Sequence, residues 1–433
     1  MDVVFRQWLG GAALCALLCI AVVSPRGAST VLAIILLASL AMALHRRELP
    51  PLPTAAHVGQ WSALAFVAFA MSTALWSATP LASVMKPAYF AVALAALWLI
   101  HHIVPRLSAR QLDFLAEACL LATAAGMAFV AFEILTAQAV TRHIMTLFPV
   151  LHESLERKHV TIVDGFVRRL SDTNLNRRMA LLVWLMWPVL LLASLDIVRW
   201  RGRIVVATIA VCAAIILLRG SHQSSQLAIL GGLLVFAAAH VDRAMTRRAL
   251  AVLWIIATVF VVPIALLTFH ARAHEASWLF RSAQHRVVIW GQAASEVLKS
   301  PLVGVGADAT RKAMREVVAA EPSRRDELAG FESGYADHAH NVYLQVWYEL
   351  GAIGAALFLA MGLLALQSTK NLATRVQPYA LALFATSALM IASSYSLWQT
   401  WFIAACGLGF AGLLLAVAVN RSRAEPSAAA PIA

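Results

Sequence analysis

Charge is scarce in this chain, and negative charge scarcer still. Only 13% of its 433 residues are charged, with 22 Asp and Glu against 34 Lys and Arg. A soluble globular surface draws on about 25% charged residues, so this composition excludes one. Cysteine is also sparse: Cys15, Cys19, Cys119, Cys212 and Cys406 each lie inside an apolar run. With no paired spacing and no metal pattern, they exclude a disulfide framework and read as small core residues. No internal repeat is visible.

What is abundant is apolar surface, 61% of the residues. Lipid offers no partner to an unpaired backbone amide, so each crossing needs about 20 predominantly apolar residues in a helix. The sequence is therefore read as an all-α polytopic membrane protein of about twelve transmembrane helices, at 8–23, 29–44, 58–77, 82–103, 113–138, 179–196, 203–218, 224–240, 249–269, 340–366, 377–396 and 399–419. The first run could pass for a signal-peptide core, but the many spans behind it make it a signal anchor.

Arginine placement orients these spans. Arg46, Arg47, Arg106, Arg247, Arg375 and Arg423, with most of the other loop cations, fall on one side. The opposite short connections carry little beyond Arg26, Lys86 and Arg219. Positive-inside bias puts both termini in the cytoplasm. The overall charge of +12 mostly reflects that side, and nucleic acid is a poor partner for a chain whose soluble parts are outer loops.

Two connections on the outer side are too long for simple turns, and such loops are usually functional or disordered. They divide the chain into 1–269, with nine spans and a periplasmic loop near 139–178; a large helical periplasmic loop at 270–339; three spans within 340–420; and a cytoplasmic tail at 421–433. In "RSAQHRVVIWGQAASEVLKS", Val287, Trp290, Ala294 and Val297 recur at helical spacing, giving an amphipathic helix able to lie on the bilayer or the bundle. "SPLVGVGAD" breaks it as a compact turn, and Asp308–Ala320 reads as a second helix.

The chemistry gathers at "DHAHNVYLQVWYELG", where the large loop re-enters the membrane. His338 and His340 can be solvated or capping groups, a metal pair, or a general base. Residues two apart on a helix diverge and acid is sparse here, which disfavours the metal. Imidazole titrates near neutrality, and Asp337 could orient it. Glu349 falls about two turns inside the span, where a lone charge is expensive, so it should pair or stay protonated. Asn174 and Asn176, just before a span, could bind sugar or cap the helix.

Arg219 ends a span in "LLRGSHQSSQLAIL", and Arg286 sits in the loop helix. Arg168, Arg169, Arg177 and Arg178 cluster in the first long loop, and Lys86 starts another span. Each alone could snorkel to lipid phosphates. Together they form a cationic outer rim that argues for an anionic ligand, since guanidinium donates two parallel hydrogen bonds to phosphate. The large loop itself carries nine basic and nine acidic residues, so specific arginines, not net charge, must bind it.

Arg286 and Trp290 in a loop helix, "PLVGVG" at Pro301–Gly306, and "HAHNVYLQVWYELGAIG" at His338–Gly354 together resemble the O-antigen ligase and polymerase superfamily of bacterial inner-membrane proteins. The resemblance covers roughly 170–360. It implies a GT-C-like glycosyltransferase that needs no metal or cofactor. The family's donor is a glycan on undecaprenyl diphosphate at the periplasmic face, and the ligase passes it to lipid A–core oligosaccharide. His338 then corresponds to the catalytic base, and Arg219 and Arg286 to the diphosphate-binding arginines. The family often has Ser-Arg where this chain has "LLRGSHQSS". His340, Asn341, Lys86, Arg168, Arg169 and Trp290 are the expected substrate contacts. A polymerase or a protein O-oligosaccharyltransferase of the same superfamily is the alternative. A lipid or solute transporter is a different class, which would place polar groups along a mid-membrane path; here they concentrate at one face.

Overall fold

The computed structural model describes residues 2–51, 54, 58–153, 159–195, 200–320 and 338–424. Helices dominate: α1 (Asp2–Val23), α2 (Ala28–His45), α3 (Val58–Ser72), α4 (Pro80–Ile103), α5 (Ala109–Leu135), α6 (Ala139–Leu147), α7 (Val150–Glu153), α8 (Thr173–Leu195), α9 (Trp200–Arg219), α10 (Gln223–Val241), α11 (Arg243–Val259), α12 (Val261–His270), α13 (Arg281–Val297), α14 (Thr310–Ala320), α15 (Val342–Ser368), α16 (Gln377–Ser393) and α17 (Thr400–Ala424). Every expected span falls on one of them except 249–269, which is divided between α11 and α12. Nine helices among the described residues are long and apolar enough to cross a membrane on their own. The Ala13–Val23 part of α1 and all of α16 are shorter apolar helices, and α11 with α12 makes one span bent by 61°. That bend has a cause in Pro263, which lacks an N–H and crowds the carbonyl four residues back; α11 ends at that residue, Val259. The chain is an all-α multi-pass membrane protein.

The bundle is built around α8, whose run from Met179 to Val189 is buried throughout. It packs against α5, α9, α16 and α17. Two of its tryptophans also hydrogen-bond sideways, Trp184 Nε1 to Ser387 Oγ at 3.0 Å and Trp187 Nε1 to Thr386 Oγ1 at 2.8 Å. Such polar ties fix register between helices that lipid alone would leave free to slide. A second core joins α3, α11 and α15 through Phe66, Trp254, Tyr343 and Phe358.

The connections sort into two ends of the bundle. At one, Arg106 meets Glu48 at 3.5 Å and Arg423 meets Asp113 at 2.9 Å, while Arg247 donates to Gln377 Oε1 at 2.8 Å. At the other end lie both long connections. The first holds a hairpin that the all-helical expectation did not include: β1 (Val160–Val163) pairs antiparallel with β2 (Phe166–Leu170). Its two-residue turn is Asp164–Gly165, both at positive φ, the dipeptide that suits such turns. Strand β2 is tied to α6, with Arg142 Nη1 donating to Arg168 O at 2.9 Å and Val167 N to Thr146 Oγ1 at 3.0 Å.

In the second connection, α13 lies against the bundle, on α12 and α15, burying Val287, Ala294 and Val297. The "PLVGVG" turn then enters a break in a membrane helix. Gly351 interrupts α15 at φ +62, ψ −162, a conformation open essentially to glycine alone. The break frees the carbonyls of Tyr348 and Glu349 and the amides of Ala352 and Ile353. The turn takes up all four: Val305 N donates to Tyr348 O (3.1 Å), Gly306 N to Glu349 O (2.8 Å), Ala352 N to Pro301 O (2.8 Å) and Ile353 N to Leu302 O (3.2 Å). The fit is too close for side chains, since a Cβ on Gly304 would strike the Glu349 carbonyl and one on Gly351 the Leu302 carbonyl.

Candidate functional site

The two histidines sit on either side of buried Ala339, which is held from both directions. Its carbonyl accepts from Trp290 Nε1 at 2.9 Å, and its side chain packs among Ala293, Ala294, Leu344 and Tyr348. Asn341 then caps α15, its Oδ1 accepting from Leu344 N at 3.2 Å. Trp290 and Asn341 thus hold the segment in place through the polar atoms named here. Asp337, the expected orienting carboxylate, lies outside the described residues.

The rings of His338 and His340 lie 4.1 Å apart between centroids, and their protons can be assigned from their partners. His338 Nδ1 accepts from the His340 backbone N–H at 3.2 Å, so the neutral ring carries its proton on Nε2. His340 Nδ1 faces Ser394 O at 2.7 Å; a carbonyl only accepts, so Nδ1 donates and the lone pair of the neutral ring is at Nε2. Burial, reinforced by the neighbouring His340, pulls the His338 imidazole down to about 3. It is neutral at ordinary pH, the state in which a ring can accept a proton.

Ser394 leads to Tyr395, around which several chains of contact converge. The ring of His222, in the short link between α9 and α10, lies 5.7 Å from that of Tyr395, and His222 Nδ1 is 2.7 Å from Ser225 Oγ. Burial and the Arg286 charge bring His222 down to about 3. Arg286 in α13 acts electrostatically on both His222 and Tyr395, and burial lowers its own ordinary value, with Tyr395 opposing. Burial raises the Tyr395 hydroxyl, countered by Arg177 and Arg286. Arg177 stacks 5.6 Å over the Trp401 ring, itself packed edge-on to Tyr395 at 4.6 Å. Five segments of chain thus meet: the start of α8, the α9–α10 link, α13, the histidine segment and the α16–α17 link.

The other expected residues lie elsewhere at the same end. Arg219 is exposed where α9 stops; the guanidinium acting on His222 is that of Arg286. Lys86 in α4 is charge-coupled to Asp308, whose carboxyl burial pushes up against that opposing cation. Arg168 and Arg169 are exposed on β2, Arg168 lying 5.6 Å over its neighbour Phe166. Asn174 and Asn176 fall inside the first turn of α8 and do not cap it; Ser171 Oγ accepts there from Thr173 N (3.4 Å), and Asn176 Oδ1 from Ser221 Oγ (3.3 Å). Sequence reasoning passed over His222, Tyr395 and Trp401 as site residues and named Arg177 only within the cationic rim. A histidine between Ser221 and Gln223, just past a span end, was the one local signal.

Glu349 is 1% exposed and is paired by neutral donors. Its carboxyl accepts from Asp308 N (3.1 Å), Thr310 N (3.4 Å), Thr310 Oγ1 (2.5 Å), Gln345 Nε2 (3.1 Å) and Trp398 Nε1. Gln345 also reaches Ser396 Oγ at 2.8 Å. This node fastens the turn and the α16–α17 link to α15, fixing the surroundings of the histidines. Among the described residues no three His, Cys, Asp or Glu side chains gather as a metal cage.

Both the broken helix and the histidine segment fall inside one recognisable stretch of sequence. Residues 207–359 match the O-antigen ligase family. The superfamily resemblance carried by the motifs therefore holds over α9 to α15. Curated relatives agree in the same terms. A protein of Rickettsia conorii named "Putative polysaccharide ligase" is 31% identical over 124 residues, 28% of this chain and 29% of that protein. Its namesake in Rickettsia prowazekii is 29% identical over 123 residues, again 28% and 29% of the two chains. The chain thus matches under a third of these relatives' length. Arg177, Tyr395 and Trp401 lie outside the family match.

Proposed function

We propose that the protein is an O-antigen ligase-type glycosyltransferase. It moves a glycan from undecaprenyl diphosphate to lipid A–core oligosaccharide in the bacterial inner membrane, with both termini cytoplasmic and the site periplasmic. The observation that carries this reading is the tie between the histidine segment and α13, the helix that bears Arg286, made by Trp290 Nε1 on the Ala339 carbonyl at 2.9 Å. An attacking sugar hydroxyl must lose a proton as it adds to the anomeric carbon, and a neutral imidazole can take it. The departing diphosphate gains negative charge, and a fixed guanidinium stabilises that charge more in the transition state than before it. The GT-C-like label and independence from metal belong to the same proposal.

Within it, His338 is the base that the motif names. To accept a proton it must turn its Nδ1 lone pair away from the His340 amide. The tautomers favour a second assignment, in which His340, held through Nδ1 by the Ser394 carbonyl, takes the proton at Nε2, and His338 donates its Nε2–H to the leaving diphosphate.

Purified protein mixed with lipid-linked glycan and rough lipopolysaccharide, in chelator and without nucleotide, tests the reading. Laddering of the lipopolysaccharide supports ligation. Growth of the donor chain alone means polymerisation, and an unchanged donor and acceptor sinks both.

A further inference from the structure

A half-buried cation without a counter-charge is costly, and this site holds two. Arg177 and Arg286 are each partly withdrawn from solvent, and neither pairs with a carboxylate among the described residues. They come from different elements, α8 and α13, and act on the same partly buried phenol, Tyr395. Arg26, in the link between α1 and α2, adds a third positive charge in electrostatic range of Arg177. Trp401 supports Arg177 from below, so its guanidinium is held by a ring face and keeps its N–H donors for another partner.

We propose that Arg177 is a second diphosphate-binding residue, forming with Arg286 a two-pronged cradle across Tyr395 in which each guanidinium grips one phosphate. This rests on the donor assigned above and adds to it a residue outside the matched family segment. The cradle prefers two linked phosphates to one, because a single phosphate engages one prong.

Binding of inorganic pyrophosphate and of inorganic phosphate to the full protein in lipid nanodiscs, followed by calorimetry, tests this. Wild type should bind pyrophosphate at least about ten-fold tighter than phosphate, the worth of one charge-assisted contact. Arg177→Gln should weaken pyrophosphate by about ten-fold and erase that preference. Arg177→Lys, which keeps charge but not the fork, should fall between and covers the case of a Gln variant that fails to fold. Arg272→Gln, exposed and bonded to Glu275 at 2.6 Å, should change nothing. Pyrophosphate binding untouched in Arg177→Gln and Arg177→Lys but lost in Arg286→Gln overturns the cradle and leaves the donor assignment standing. Wild type that ignores pyrophosphate overturns both.

Discussion

Arg177 and Arg178 are neighbours in sequence, yet the protein treats them in opposite ways. Arg178 is 7% exposed and satisfied from within: its Nη1 lies 3.5 Å from Glu133 Oε2 and 2.9 Å from Thr141 Oγ1. Glu133, fully buried, accepts in addition from Val140 N (2.9 Å), Thr141 N (3.2 Å) and Thr141 Oγ1, so it also caps α6. Arg177, one position earlier, meets an aromatic face and other cations. One step along a helix turns a side chain by about 100°, enough to move it from a closed polar node to an open one. A charge answered by the protein's own acid is structural. A charge left unanswered waits for something from outside.

Substitutions in the open region should therefore cost transfer, and those in the closed region stability. The largest effect is expected at His338. His338→Ala should lower transfer by about 10²–10⁴-fold, the usual worth of a positioned acid or base, with its melting temperature close to wild type. The same loss in His340→Ala, with His338→Gln tolerated, would assign the base to His340. In the closed region, Glu133→Ala strands a buried guanidinium and should cost about 3–5 kcal/mol. Thermal unfolding in detergent reads that loss, while transfer per folded molecule persists; a melting curve left in place would show that Arg178 is as open as its neighbour.

Glu349 falls between the two cases, structural in its bonding but fastened to the site. Glu349→Gln presents an NH2 group where donors already point, and should cost about 1–3 kcal/mol. Faster amide exchange in 304–310 would follow, and unaltered exchange there would remove the node from the account. Acidity should also act on the open region. His338 and His222 sit at about 3 when folded, against 6.5 for an ordinary imidazole. The unfolded chain binds more protons between those values, so the stability they lend is complete above about 6.5 and drains away as pH falls toward 3. Melting temperature should drop between pH 7 and 5, and drop less in a His222→Gln, His338→Gln double variant.

The spans were legible because hydropathy is a local property, and eleven of the twelve apolar runs found a helix of their own, the run 249–269 being broken into two. The hairpin was not read, although Asp164–Gly165 between Val163 and Phe166 is a turn signal, because its short strands are hidden among charged neighbours. The helix break was not legible: "YELGAIG" reads as continuous helix, and only the distant "PLVGVG" turn makes a break at Gly351 tolerable. Arg177 looked like one of four loop arginines, because pairing separates it from Arg178 and pairing is tertiary. The proton positions on the histidines likewise needed Ser394, more than fifty residues downstream.

The turn seated in α15 bears on how the molecule is assembled. Until residues 301–306 dock, four backbone groups in the interrupted span have no partners, and the segment's cheapest form in lipid is a straight rod through Gly351. The interruption can then arise only after insertion, when the turn displaces the rod's own bonds. The histidine pair, one helical stretch away, would reach its working position last, so a half-made protein would be kept from acting on its substrates.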